Sequence, residues 1–450
     1  MLGVAAVSLA VVTRYLGPER YGEYALAIAF VSLFGVLADV GLFTIVVREI
    51  SRRPPETERL VGNVLVLRGL LAVVCVALAA AISLLLPYTP STRWAIVIYG
   101  LPFVLGMLNS GLTAVFQSRL RMHRAAIADV VGRATALAAL GVVVLADLGF
   151  YAVVAVAGVG ALASLALSAA LVRPLARVRP RAEPAVWRSL LAAALPLGLS
   201  FAVTEIYFRA DTFIISLLRP VEDVGLYGLA YRIFELLAIF SSIVMASVFP
   251  ILSGAVASDA ARTRRVLQGT SDLLVVVGVP LAVGGAILAP GIVDLVGGPE
   301  FAEAAEPMRL LLVAGGLAYV NGLLGYALIA RDRQRDLLRI NVSALVVNVG
   351  LNFALVGAYG ITAAAAVMIA CEIAILFASI VLMGRHYAFV PSFAILGRAL
   401  PAAAVMAAVT WPLRDAPVLA VTALGALVYG GVLFAVGGVD REMLRRLRAP

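Results

Sequence analysis

Apolar residues fall into stretches of about 20 along this chain, a length that spans a bilayer as helix, and polar residues collect in the short gaps between them. Fourteen stretches separate. The first is Leu2–Thr13 and the second Tyr21–Val47; the seventh, Leu190–Leu218, and the eighth, Gly225–Ser253, open the second half; Ala394–Trp411 and Val418–Gly437 close the chain. A helix of that length satisfies its own backbone hydrogen bonds in hydrocarbon. The period-two segments of an outer-membrane barrel are missing from the pattern. The expected fold is all-α, a polytopic membrane protein with about 14 transmembrane helices. Leu2–Thr13 is short for about 30 Å of hydrocarbon. It also lacks the basic start and cleavage site of a signal peptide. It is read as part of a first helix whose N-terminal half is missing.

Composition supports a membrane protein, and charge orients it. Of the 450 residues, 63% are hydrophobic and 14% charged, against about 25% charged in a soluble domain. All 35 basic residues are arginine, and 24 of them lie in connections that follow even-numbered stretches. Connections after odd-numbered stretches hold five: Arg14, Arg20, Arg93, Arg219 and Arg414. Arginine collects on the cytoplasmic side of membrane proteins. The reading is therefore a multi-pass protein of the plasma (inner) membrane with both termini cytoplasmic. Its net charge of +9 faces anionic lipid headgroups, and no nucleic acid is implied. The longest connection, residues 173–189, carries five arginines and three prolines and is read as a cytoplasmic linker. No connection is long enough to hold a catalytic domain.

The chain repeats itself. Gly22, Tyr24, Leu26 and Ala27 recur as Gly225, Tyr227, Leu229 and Ala230, each 203 residues later. Both copies start from the same side of the membrane, which makes the repeat parallel about an axis along the membrane normal. The expected organisation is an N-terminal lobe over 1–172 (helices 1–6), the linker over 173–189 and a C-terminal lobe over 190–384 (helices 7–12). Residues 385–450 then add two helices and a cytoplasmic tail.

Ionisable residues inside the apolar stretches are the candidate site, because each costs roughly 2.5–3.5 kcal/mol at mid-membrane unless paired or hydrated. They are Asp39, Arg68, Asp129, Arg133, Glu205, Arg209, Asp211, Arg232, Glu235, Asp272, Arg309 and Glu372. Asp129/Arg133 and Glu205/Arg209 are four apart and Arg232/Glu235 three apart, so each pair shares a helix face. Arg68, Asp272 and Arg309 are read as groups near helix ends that reach toward the headgroups. Arginine suits phosphate, through a planar fork that stays charged when desolvated. Carboxylates beside it would compete for the guanidinium, and one such as Glu372 would take up H⁺ or Na⁺. No cofactor is implied. Phosphate loops, HExxH, paired CxxC and nucleophile elbows are missing from the sequence, and an enzyme is not expected. Cys75 and Cys371 lie in apolar stretches and suggest neither a disulfide nor a metal.

Several motifs resemble a known family. Arg14-Tyr15-Leu16-Gly17-Pro18-Glu19-Arg20-Tyr21-Gly22-Glu23-Tyr24-Ala25-Leu26-Ala27 is similar to the opening signature of the polysaccharide (O-antigen) flippases. So are Leu37-Ala38-Asp39-Val40-Gly41-Leu42 and Val47-Arg48-Glu49-Ile50. Arg209-Ala210-Asp211-Thr212, followed by Val224 to Arg232, resembles the start of that family's second lobe. The resemblance implies a two-lobed exporter that flips a polyprenyl-diphosphate-linked oligosaccharide from the cytoplasmic to the outer leaflet by alternating access. Membrane lipids, a glycan polymerase and glycosyltransferases would be its partners. In the related lipid II flippases an Arg is followed three residues later by an acid in the eighth helix, and Arg232 and Glu235 fit that pattern. Arg14 and Asp39 fall where that group is also charged. The expected substrate-binding residues are Arg14, Arg209 and Arg232. The expected coupling residues are Asp39, Glu205, Asp211, Glu235 and Glu372. A cation-coupled multidrug antiporter of the same superfamily is the alternative. A membrane glycan polymerase or ligase fits less well, because the outward connections are short.

Overall fold

The computed structural model describes residues 2–39, 41–387 and 390–438. Arg441, Arg445, Arg446 and Arg448 of the expected tail lie outside the described residues. Among the described residues, thirteen α-helices run in chain order: α1 Leu2–Asp39, α2 Leu42–Arg52, α3 Thr57–Leu85, α4 Pro90–Ser118, α5 Met122–Leu145, α6 Phe150–Val172 and α7 Pro184–Leu218. These are followed by α8 Val221–Ser258, α9 Ala260–Gly297, α10 Ala305–Ala330, α11 Gln334–Tyr387, α12 Leu396–Thr410 and α13 Val418–Ala435. Among the described residues, 11 helical stretches are long and apolar enough to cross a membrane. The fold is all-α and polytopic, as the hydropathy pattern requires.

The 11 spans account for thirteen of the fourteen apolar stretches; the seventh, in α7, is not among them. Two of the 11, Gly3–Arg52 and Gln334–Arg385, are 50 and 52 residues long. Each is broken at a glycine with positive φ, Gly17 (69°) and Gly360 (68°), and so holds two apolar stretches. Glycine reaches that conformation without a Cβ clash. At the first break Pro18 follows at once, which suits the first position of a new helix because its missing N–H is not needed there. The first stretch thus continues as helix through residue 16. The second is interrupted again: Gly41 is left-handed (φ 74°) and α2 starts after it. Helix α2 buries Leu42, Ile45, Val46 and Ile50, the 3.6-residue spacing of a one-sided helix. The expected linker is shorter than its composition suggests, because α7 begins at Pro184.

The chain forms two compact units, Met1–Gly225 and Leu226–Pro450. In the first, α2, α3 and α4 enclose a core of Ile45, Val46, Val61, Val64, Val115 and Phe116, against which Val172 and Ala176 also pack. In the second, Leu267 and Leu274 of α9 meet Tyr319, Leu323 and Leu324 of α10. Helices α12 and α13 pack on α9 through Met406 and Tyr429. The Tyr429 hydroxyl donates to the Val276 carbonyl at 2.9 Å. Large apolar side chains such as Leu85, Phe377 and Leu427 are exposed, as expected of helices bathed in hydrocarbon rather than water.

Hydrogen bonds sort the connections of the first unit onto two faces. The ends of the first, third and fifth stretches meet: the Tyr15 hydroxyl donates to Asp147 at 2.6 Å, and Ser91 donates to Glu23 at 2.7 Å. The arginine-rich ends of the second, fourth and sixth stretches meet elsewhere. Arg59 donates to Glu183, Arg124 to the Leu171 carbonyl at 2.7 Å, and the Arg177 backbone N–H to Glu58 at 2.7 Å.

Candidate functional site

Helix α1 carries the opening motif, and its Gly17 break places Arg14 before the bend and Arg20 and Glu23 after it. Arg14 is exposed. Glu23 is buried, 3% exposed, and is the hub of its face. It accepts from Arg20 at 2.9 Å, Thr89 at 2.8 Å, Ser91 at 2.7 Å and Thr92 at 3.3 Å. Thr89 also accepts from the backbone N–H of Thr92 and so caps α4. The guanidinium of Arg20 lies 5.5 Å from the centre of the Phe150 ring.

Gly22 and Gly225, equivalent positions of the repeat, approach each other within the first unit. A Cβ on Gly22 would overlap the Val221 carbonyl, and a Cβ on Gly225 would overlap the Pro18 carbonyl. Pro18 and Val221 are themselves equivalent positions of the repeat, so the contact is reciprocal. Only glycine permits backbones to approach so closely.

Deeper in the first unit, Asp39 pairs with Arg68 at 2.6 Å. Arg68 is 2% exposed, and its Nη2 also meets the Met107 sulfur at 3.3 Å. The expectation that Arg68 reaches toward the headgroups is corrected: it sits within α3 and is neutralised by a residue from α1. Helix α7 contributes Glu205, Arg209 and Asp211. Arg209 donates to Glu205 at 3.4 Å, and Asp211 is buried at 1% exposure. Asp129 and Arg133 pair at 2.9 Å with both groups about half exposed.

In the second unit Arg232 and Glu235 pair at 2.7 Å, with the arginine side chain 52% exposed. Glu372 is buried and accepts from the Asn321 amide at 2.6 Å; the same amide also reaches the Glu372 carbonyl at 2.9 Å. Asn348 and Asn352 are fully buried on the first part of α11, with Asn352 donating to Asn348. Arg309 pairs with Glu306 at 2.7 Å and donates to the Ala286 carbonyl. Asp272 accepts from Gln268, which in turn donates to the Ser392 carbonyl. Among the described residues no cluster of three or more His, Cys, Asp or Glu side chains is arranged to hold a metal.

Sequence reasoning on same-helix spacing found the three local pairs. It missed Glu23, whose partners are mainly hydroxyls on another helix, although Glu23 lies in the quoted motif three residues after Arg20. It missed Asn321 because a lone amide in an apolar stretch has no charge to draw attention. It also missed Glu183. That carboxylate accepts from Arg59 and from Asn63, while its own N–H donates to Asn63 at 2.7 Å. The Arg59 guanidinium, with Asn63, holds the Glu183 carboxyl below its usual range.

A helical multi-pass membrane protein with paired charges in its spanning helices is the class that these features define. The chain belongs to the polysaccharide biosynthesis protein family, whose pattern matches residues 2–256. A second family, MatE, matches residues 196–354. A probable flippase, AglR of Haloferax volcanii, is 25% identical over 255 residues, which are 54% of this chain and 53% of that protein. The chain thus spans about half the length of that curated relative. The fold is that of the lipid II flippase MurJ in an inward closed conformation, with a TM-score of 0.81, 12% identity, and 97% of this chain and 96% of that one covered. An inward-facing multidrug resistance transporter of the MATE family follows at a TM-score of 0.68 and 14% identity, covering 86% of this chain and 94% of that one.

Proposed function

We propose that this chain moves a polyprenyl-diphosphate-linked oligosaccharide from the cytoplasmic to the outer leaflet by alternating access. Arg14, Arg209 and Arg232 bind the diphosphate, and Glu205, Asp211 and Glu235 compete for the same guanidinium groups and so permit release. Asp39 and Glu372 are the coupling carboxylates, for H⁺ or Na⁺. The lobes take residues 1–172 and 190–384, with the arginine-rich face and both termini in the cytoplasm. A glycan polymerase and glycosyltransferases act before and after transport. Arg232 carries the reading: it lies in a membrane-spanning helix beside an acid, yet half of its side chain is accessible. A guanidinium that stays accessible beside its acid can exchange that partner for a phosphate.

Complementation of a flippase-deficient strain tests it, with surface glycan scored against precursor in the cytoplasmic leaflet and expression measured alongside. Arg→Lys keeps the charge and loses the two-pronged fork, so it impairs transport in part. Arg→Ala removes it and impairs transport more. Full surface glycan from normally expressed Arg209→Ala and Arg232→Ala would rule the cationic site out. The match of residues 196–354 to MatE favours a second reading, a cation-coupled antiporter. Drug efflux that depends on Glu372, without any effect on glycan export, would select it.

A further inference from the structure

Helix α11 is broken at Gly360 into two parts, residues 334–359 and 361–387. A groove of about 310 Å³ lies between them, lined by Arg339, Ile340, Ala344, Val347, Cys371 and Ala374 among others. Its floor is made by small side chains: Cys371 and Ala344 are buried, and the wall residues Val347 and Ala374 are exposed on the apolar outside of the helices. Among the described residues, Arg339 is the only charged one in the lining. It lies at the start of α11, at the end of an arginine-rich segment in which Arg331, Arg333, Arg335 and Arg339 outnumber Asp332 and Asp336. Its ion-pair partner Asp336, at 3.1 Å, is shared with Arg333 at 3.2 Å. The Arg339 side chain is 79% exposed.

We infer that this groove seats one acyl chain of an anionic phospholipid, with the lipid phosphate on Arg339. The volume is at the lower end of ligand pockets, roughly 300–1,000 Å³, and gives room for a length of hydrocarbon. Besides Arg339, the lining offers the Ser343 hydroxyl and otherwise apolar or weakly polar side chains, few partners for a sugar. A groove open on the lipid-facing side fills from the bilayer. Arg339 meets Asp336 through one nitrogen, and its largely exposed guanidinium has further donors that suit a phosphodiester charge. The diphosphate of a glycan carrier would ask for more donors than Arg339 offers. Basic pockets between membrane helices on the cytoplasmic side bind acidic headgroups for this reason.

The inference is independent of the transport reading, because it concerns bulk lipid and not cargo. Native mass spectrometry of the full chain in detergent tests it, with phosphatidylglycerol, phosphatidylcholine of the same acyl chains, and a polyprenyl monophosphate as probes. One phosphatidylglycerol should be retained in preference to phosphatidylcholine. Arg339→Gln should lower its occupancy by about fivefold, the ratio that one arginine near an anionic headgroup supplies. Ala374→Phe, on an exposed wall, should fill the groove and remove both phospholipids, and Arg335→Gln should change little. Equal retention of the two phospholipids, wild-type binding by both Arg339→Gln and Ala374→Phe, or displacement of phosphatidylglycerol by an equal concentration of the polyprenyl phosphate would each overturn it.

Discussion

Glu23 and Glu183 each tie one end of the first unit among other contacts, and they do so differently. At the end that joins the first, third and fifth stretches, Glu23 is buried and is shared among Arg20 and three hydroxyls. At the arginine-rich end, Glu183 is partly exposed and is held by Arg59 and Asn63. Water screens and replaces the second set of contacts and has little access to the first. A buried charge that loses its partners retains the full cost of desolvation, whereas an exposed pair contributes little. The same chemistry therefore anchors one end firmly and merely fastens the other. The exposed fastening holds the linker: the Arg181 N–H donates to the Gly62 carbonyl at 3.1 Å, and Glu183 stands at the start of α7.

The largest expected effect separates the two ends outright. Leu148, beside the Tyr15–Asp147 contact, and Ala182, in the linker, are both exposed, and the native Cys75 and Cys371 are buried. In intact cells an impermeant maleimide should modify Leu148→Cys and leave Ala182→Cys untouched. Labelling of both, or of Ala182→Cys alone, would refute the opposition of the two faces or its direction.

Next in size is Glu23→Ala. It removes a buried charge from Arg20 and three hydroxyls, and should cost about 3–5 kcal/mol, read as a lower unfolding temperature and a smaller folded yield. Glu23→Gln keeps the shape and should cost about 1–3 kcal/mol. If Glu23→Ala unfolds at the wild-type temperature, burial is not what distinguishes the two ends.

The smallest effect belongs to Glu183→Gln, which should leave neutral-pH stability nearly unchanged. Its signature is in the acid range. The folded-state pKa of Glu183 lies below the ordinary 4.5. Its contribution is therefore complete above 4.5 and disappears as pH falls through the lower, folded value. Wild type should lose linker protection in hydrogen exchange over that acid range and not between pH 7 and 5. Glu183→Gln should show no such step. An equal acid step in both proteins would assign it to another group.

How much of this is legible in the sequence follows from the range of each interaction. Spans are local, and the apolar stretches appear as helices. The alternation of Arg-rich connections is a sum over many residues, and the hydrogen bonds of the first unit sort the connections accordingly. Pairs three or four apart, such as Arg232/Glu235, are set by helix geometry alone. Asp39 and Arg68 lie on different helices, and only packing brings them together, so Arg68 reads in isolation as a group near a helix end. Glu23 depends on Thr89, Ser91 and Thr92, whose hydroxyls carry no charge pattern. The interruption around Gly41 is invisible to hydropathy, because apolar residues continue on both sides of it.

The crossing at Gly22 and Gly225 has a consequence for assembly. Residues 18–22 present to residues 221–225 the surface that these present to them, as two subunits do across a twofold dimer interface. Between separate chains such a contact forms and dissolves with concentration. With both copies on one chain the second surface is always at hand, at an effective concentration set by the chain that joins them. The crossing therefore persists at any dilution, and a substitution at either glycine cannot be offset by expressing more protein.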